Sequence, residues 1–165
     1  MISKRINFLS IAFWISIQIV ILNNIFLADI ATPYLYIITI ILSPLTINRQ
    51  LFMVIAFLIG LVIDIFEATG GVFAASTLLI AYLRPVFLNI SFGLAYEQMT
   101  IKFQKESFFQ KLSYVSLMTT THHLALFSLE AFSLNNVLMI IEKTLFSSIL
   151  SIFIMILVIK LLEKK

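Results

Sequence analysis

Residues 51–90 read LFMVIAFLIGLVIDIFEATGGVFAASTLLIAYLRPVFLNI. Two apolar runs, 51–66 and 72–90, flank a short interval that ends in Gly70-Gly71. A bilayer core of roughly 30 Å needs about 20 helical residues per crossing, fewer where a short helix is shielded by protein. Backbone N–H and C=O groups in lipid must be satisfied within their own segment, which a helix does. Paired glycines mark a chain reversal. The stretch therefore reads as a transmembrane helical hairpin, and it sets the fold class as all-α.

The rest of the 165 residues repeats the composition of this hairpin. Hydrophobic residues make up 61% and charged residues 12%, with a mean hydropathy of +1.10. A soluble fold of this size has too little interior to hide that much apolar surface. Further apolar runs extend over residues 8–27, 34–47, 112–132 and 144–162, giving six candidate spans in one integral membrane domain, 1–165. Spans 34–47 and 51–66 are short and nearly back to back. They read as two tight crossings or as one re-entrant hairpin, the latter leaving four full spans. Pro33, Pro44, Asn48 and the glycine pair mark the joints. The apolar run that follows Lys4 and Arg5 continues to Leu27 without a small-residue cleavage site, so it reads as a retained signal anchor.

The long polar interval, 91–111, carries Glu97, Lys102, Lys105, Glu106 and Lys111. It suggests a short amphipathic surface helix anchored by Phe103, Phe108 and Phe109. Basic loops are retained on the cytoplasmic side. Six crossings place Lys4, Arg5, Arg49, Lys102, Lys105, Lys111, Lys160, Lys164 and Lys165 on one face and only Lys143 on the other. Asp29, Asp64, Glu67, Glu130 and Glu142 collect on that other face. Both termini are then cytoplasmic and 91–111 is a cytoplasmic loop. The net charge of +3 comes from patches beside spans and forms no continuous basic face, which argues against nucleic acid.

Polar groups inside spans are costly and imply partners. Ala56, Gly60 and Asp64 recur every four residues, a line of small side chains that admits a neighbouring backbone and ends in a carboxylate. Asp64 reads either as a cap near the interface or as the organiser of a partner-binding or ligand-facing loop. Pro85 removes a backbone donor and bends the helix. The preceding Arg84 either snorkels toward headgroups while bonding freed carbonyls or pairs with Asp64. Depth counting puts Arg84 about 18 Å and Asp64 about 10 Å below the external face, a gap that the arginine side chain barely covers. Ser116, Thr120, His123 and Glu130 share one helical stripe, while the adjacent His122 and His123 point about 100° apart and cannot jointly hold a metal. Their expected use, with Ser10, Trp14 and Gln18, is interhelical hydrogen bonding.

There is no cysteine, which removes thiol chemistry and disulfides. No phosphate-binding glycine loop, nucleophile elbow, H-E-x-x-H pair or cluster of convergent carboxylates is present. The expectation is a protein without catalytic residues, metal or cofactor. Few intramembrane charges also argue against an ion-coupled transporter.

The order Gly60-Leu61-Val62-Ile63-Asp64-Ile65-Phe66, Gly70-Gly71-Val72-Phe73-Ala74-Ala75 and Tyr82-Leu83-Arg84-Pro85 resembles the MreD family of rod shape-determining proteins. The likeness extends to the Gln18 to Asn24 stretch and to Pro33-Tyr34-Leu35-Tyr36 of its Bacteroidetes-type members. It covers most of the chain, with 112–132 and 144–162 matching in length and hydropathy only. The resemblance implies a six-helix fold shared with the S components of energy-coupling factor transporters. It also implies a non-enzymatic scaffold of the cell-elongation complex that binds MreC and works with MreB and the peptidoglycan polymerase and transpeptidase pair. Asp64 and Arg84 match recurrent positions of the family. With Ala56, Gly60, Gly70, Gly71 and Pro85 they become candidate architectural or partner-contact residues. The alternatives are an S component holding a small hydrophobic vitamin, and a structural membrane protein of another kind.

Overall fold

The computed structural model describes residues 8–22, 31–98, 101, 103–131 and 137–163. Among the described residues there are seven α-helices and no strand: α1 Phe8–Val20, α2 Ile38–Ile41, α3 Arg49–Glu67, α4 Val72–Phe92, α5 Leu94–Glu97, α6 Phe108–Ala131 and α7 Val137–Glu163. Helices α3, α4 and α7 are long and apolar enough to cross a membrane, which marks a membrane protein. Residues 23–27 of the expected first span, Asp29, Lys4, Arg5, Lys102, Lys164 and Lys165 lie outside the described residues.

The α3–α4 hairpin forms where its sequence expects it. Asn48 caps α3 by accepting from the Gln50 amide at 2.9 Å, which satisfies one of the unpaired donors at a helix start. At the other end Ala68 turns left-handed, and Gly70 and Gly71 have φ of 68° and 104°, a region that suits glycine. Along the interface Ala56, Ile59, Gly60, Ile63 and Asp64 are buried. A Cβ on Gly60 would lie 2.6 Å from both Ala74 Cα and Phe73 O and would overlap Thr77 Oγ1. Glycine here is therefore a requirement of close backbone approach. The opposite face of α3 turns Leu58, Leu61, Ile65 and Phe66 outward, as a lipid-facing surface would.

Helix α6 runs antiparallel to α4 and α7. At one end Ser91 of α4 meets Ser113, Phe92 packs on Tyr114, and Lys111 makes a 2.9 Å ion pair with Glu163 at the close of α7. α6 is 24 residues long but comparatively polar, and it buries Thr119, His122 and His123, while α7 buries Thr144, Ser147, Ser148 and Ser151, of which Ser148 meets His123. Small polar side chains on facing helices permit close packing and interhelical hydrogen bonds where lipid offers neither.

The expected span over 34–47 takes another form. Residues 32–35 have no regular secondary structure, α2 is four residues long, and 42–48 are turns, bends and irregular backbone; no continuous helix crosses here. The segment nevertheless runs lengthwise through the bundle. Tyr34 packs on Phe73 at the start of α4, whereas the Ser43 carbonyl accepts from Arg84 eleven residues further along that helix, a displacement of about 16 Å at 1.5 Å per residue. Residues 35–41 are 4% exposed or less. Non-helical backbone at membrane depth is tolerable only when protein encloses it, and this inner segment is enclosed.

Two further expectations change. Instead of one amphipathic helix, 91–111 contains the end of α4, the short α5, a 3-10 turn at Phe103–Lys105 and the start of α6. Phe103 packs inward on Phe92 and Tyr114, while Phe108 and Phe109 are exposed. The last helix starts seven residues before the expected Thr144, so Glu142 and Lys143 belong to its opening turns.

Candidate functional site

Backbone outside a helix or sheet leaves its amides and carbonyls without regular partners, and burying them unpaired costs a few kcal/mol each. The bundle supplies partners from two helices. Gln18 of α1 accepts from the amides of Leu35 at 2.6 Å and Tyr36 at 3.3 Å, and its amide nitrogen donates to the Pro33 carbonyl at 3.1 Å. From α7, the hydroxyls of Ser147 and Ser151 accept from the amides of Thr32 at 3.2 Å and Tyr34 at 2.9 Å. The Tyr36 hydroxyl lies 2.7 Å from His122 Nε2. These bonds make the inner segment the hub of the fold, touching α1, α4, α6 and α7.

Asp64, only 4% exposed, lies in the last turn of α3 facing the start of α4. Its Oδ1 accepts from the Phe73 amide at 3.0 Å and the Thr69 hydroxyl at 2.5 Å, and its Oδ2 accepts from the Ala74 amide at 2.8 Å. The first amides of a helix lack internal acceptors and carry the positive end of the helix dipole. Asp64 is therefore a cap supplied from the preceding helix, and it locks the hairpin at the end where Gly70 and Gly71 reverse the chain.

Arg84 does not pair with Asp64. The guanidinium, 6% exposed, donates from Nε to the Tyr114 hydroxyl at 3.0 Å and from Nη2 to the Ser43 carbonyl, and it stacks on the Phe52 ring at 4.7 Å. Tyr114 in turn donates to the Ile41 carbonyl at 3.3 Å. Asp64 caps the first turn of α4 while Arg84 is three turns further along, so the gap is closed at neither end. Arg84 thus ties α4 to the lower end of the inner segment and to α6. Pro85 follows it inside a helix that continues to Phe92, and the carbonyl that Arg84 satisfies is Ser43's, from another segment.

No family model, curated protein or solved structure matches this chain.

The histidines hold helices together. His123 Nδ1 lies 3.0 Å from Ser148 Oγ on α7, and its ring stacks on Phe127. The expected stripe Ser116, Thr120, His123, Glu130 does not turn inward as a unit, because Thr120 and Glu130 are exposed; the inward set is Thr119, His122 and His123. Among the described residues no group of three or more His, Cys, Asp or Glu could hold a metal.

Ala56, Gly60, Asp64, Gly70, Gly71, Arg84 and Pro85 do not converge on one cavity. They lie along the α3–α4 hairpin, with Gly60 and Asp64 at one level and Arg84 at another. Ser147, Ser148 and Ser151 fall on one face of α7 within its apolar middle, a spacing that is their one signal in the sequence. Serines in such helices often bond their own backbone carbonyls, so the spacing alone does not show that they serve a neighbouring segment.

Proposed function

We propose that this chain is a multi-pass scaffold of the bacterial inner membrane, of the MreD type, with both termini cytoplasmic. It supports peptidoglycan synthesis in the elongation complex by binding MreC, and through it MreB and the polymerase and transpeptidase pair. It does so without catalysis. The observation that carries this reading is how the polar residues of the resembling motifs are used. Asp64 is occupied by the amides of α4 and Arg84 by Ser43 and Tyr114, while large apolar side chains face outward on α3 and α7. A rigid bundle with apolar outer faces suits a partner that presents a transmembrane helix. Arg49, Lys105, Lys111 and Lys160 share the end of the bundle opposite Gly70-Gly71, which supports the cytoplasmic assignment of that end.

An S component is the competing reading. Tagged purification from gently solubilised native membranes, with mass spectrometry of the retained proteins, tests the choice. Recovery of MreC supports the scaffold. Recovery of a transporter ATPase module with a bound vitamin overturns it.

A further inference from the structure

The cleft between the end of α6 and the start of α7 is lined by Phe127, Glu130, Ala131, Met139, Ile140 and Lys143. It joins two opposite charges to an apolar wall. Glu130 and Lys143 both face it, yet no ion pair joins them. Lys143 rests its ammonium over the Phe127 ring at 5.8 Å, a weak contact that leaves its donors available. Among the described residues Lys143 is also the single lysine or arginine at the Gly70-Gly71 end of the bundle. A basic residue there runs against the usual charge bias of membrane proteins. Lys143 lies about 9 Å into α7 at 1.5 Å per residue. The exposed Leu138 and Met139 flank the same opening turn of α7.

We propose that this cleft binds one phospholipid with a zwitterionic, primary-amine headgroup, of the phosphatidylethanolamine class. Lys143 contacts the phosphate and Glu130 accepts N–H bonds from the ammonium. Leu138 and Met139 receive the upper part of an acyl chain. The charge pair selects a ligand that carries both signs. A choline headgroup has no N–H to donate to Glu130, and a glycerol headgroup has no positive charge. The inference rests on the membrane reading of the fold and is independent of MreC.

The test uses the full chain reconstituted in nanodiscs containing equal parts ethanolamine, choline and glycerol phospholipids, then extracted into detergent for native mass spectrometry. One retained ethanolamine lipid per chain is expected, enriched about fivefold over the choline lipid, as a single charge-assisted hydrogen bond provides. Lys143→Met should lower total retention, and Glu130→Gln should abolish the preference for ethanolamine over choline. Thermal melting of Glu130→Gln should match the parent, because Glu130 is exposed and outside the core, and Lys143→Met should lose no more than the weak contact with Phe127. Equal retention of all three lipids by the parent, or a preference unchanged in both variants, would overturn the proposal.

Discussion

Replacing Asp64 by alanine removes the acceptor for three donors at once: the Phe73 and Ala74 amides and the Thr69 hydroxyl. The two amides are buried, and an unsatisfied buried donor costs about 1–3 kcal/mol. The favourable charge–dipole interaction at the start of α4 adds about 0.3–1 kcal/mol. The hydroxyl of Thr69 can rotate toward water and contributes little. Asp64→Ala should therefore destabilise the bundle by about 3–5 kcal/mol, allowing for partial relaxation of the turn. Asp64→Asn keeps one oxygen for one amide but turns an NH₂ toward the other, so a loss of about 1–2 kcal/mol is expected. The assay is reversible unfolding of the purified protein in mixed micelles, with helicity followed by circular dichroism. Amide exchange at Phe73 and Ala74 localises the loss. The order should be alanine worst, asparagine intermediate, and the exposed Glu142→Gln near the parent. An Asp64→Ala protein within about 0.5 kcal/mol of the parent, the usual range for surface substitutions, would refute the capping argument.

Gly60→Ala gains about 1 kcal/mol of helix propensity but places a Cβ 2.6 Å from backbone atoms of α4. Because backbone cannot rotate aside, net destabilisation of about 1–3 kcal/mol is expected, seen as a lower melting temperature in detergent. Gln18→Leu strips partners from the Leu35 and Tyr36 amides and the Pro33 carbonyl; a loss of about 2–4 kcal/mol should appear together with faster amide exchange at Leu35 and Tyr36, and unchanged exchange there would count against the hub role of Gln18. Arg84→Lys cannot reproduce both hydrogen bonds and the stacking on Phe52, so about 1–2 kcal/mol should be lost. A double-mutant cycle of Arg84→Lys with Asp64→Asn should show coupling below about 0.5 kcal/mol, as for residues without shared partners; larger coupling would revive the direct pairing.

Composition and local pattern determined that the chain is helical and belongs in a membrane. The hairpin over 51–90 was legible for the same reason: its apolar lengths, the Gly70-Gly71 reversal and the Ala56-Gly60-Asp64 spacing are local properties of a helix and its turn. Capping was one of two readings that the spacing allowed for Asp64, and the amides it caps are those of Phe73 and Ala74. Tertiary structure alone decided the remainder. Apolarity shows that a segment is buried, but not which conformation it takes when protein supplies the hydrogen bonds, so the irregular backbone of 32–35 followed by the short α2 could not be read from the sequence of this stretch. The partners of that segment are Gln18, Ser147 and Ser151, up to 117 residues distant. The destination of Arg84 was hidden likewise, because its carbonyl acceptor belongs to Ser43 and a backbone carbonyl carries no sequence signature. Sequence determines where polar groups occur along each helix, whereas which of them meet depends on helix order and depth, set by the packing of all the segments together.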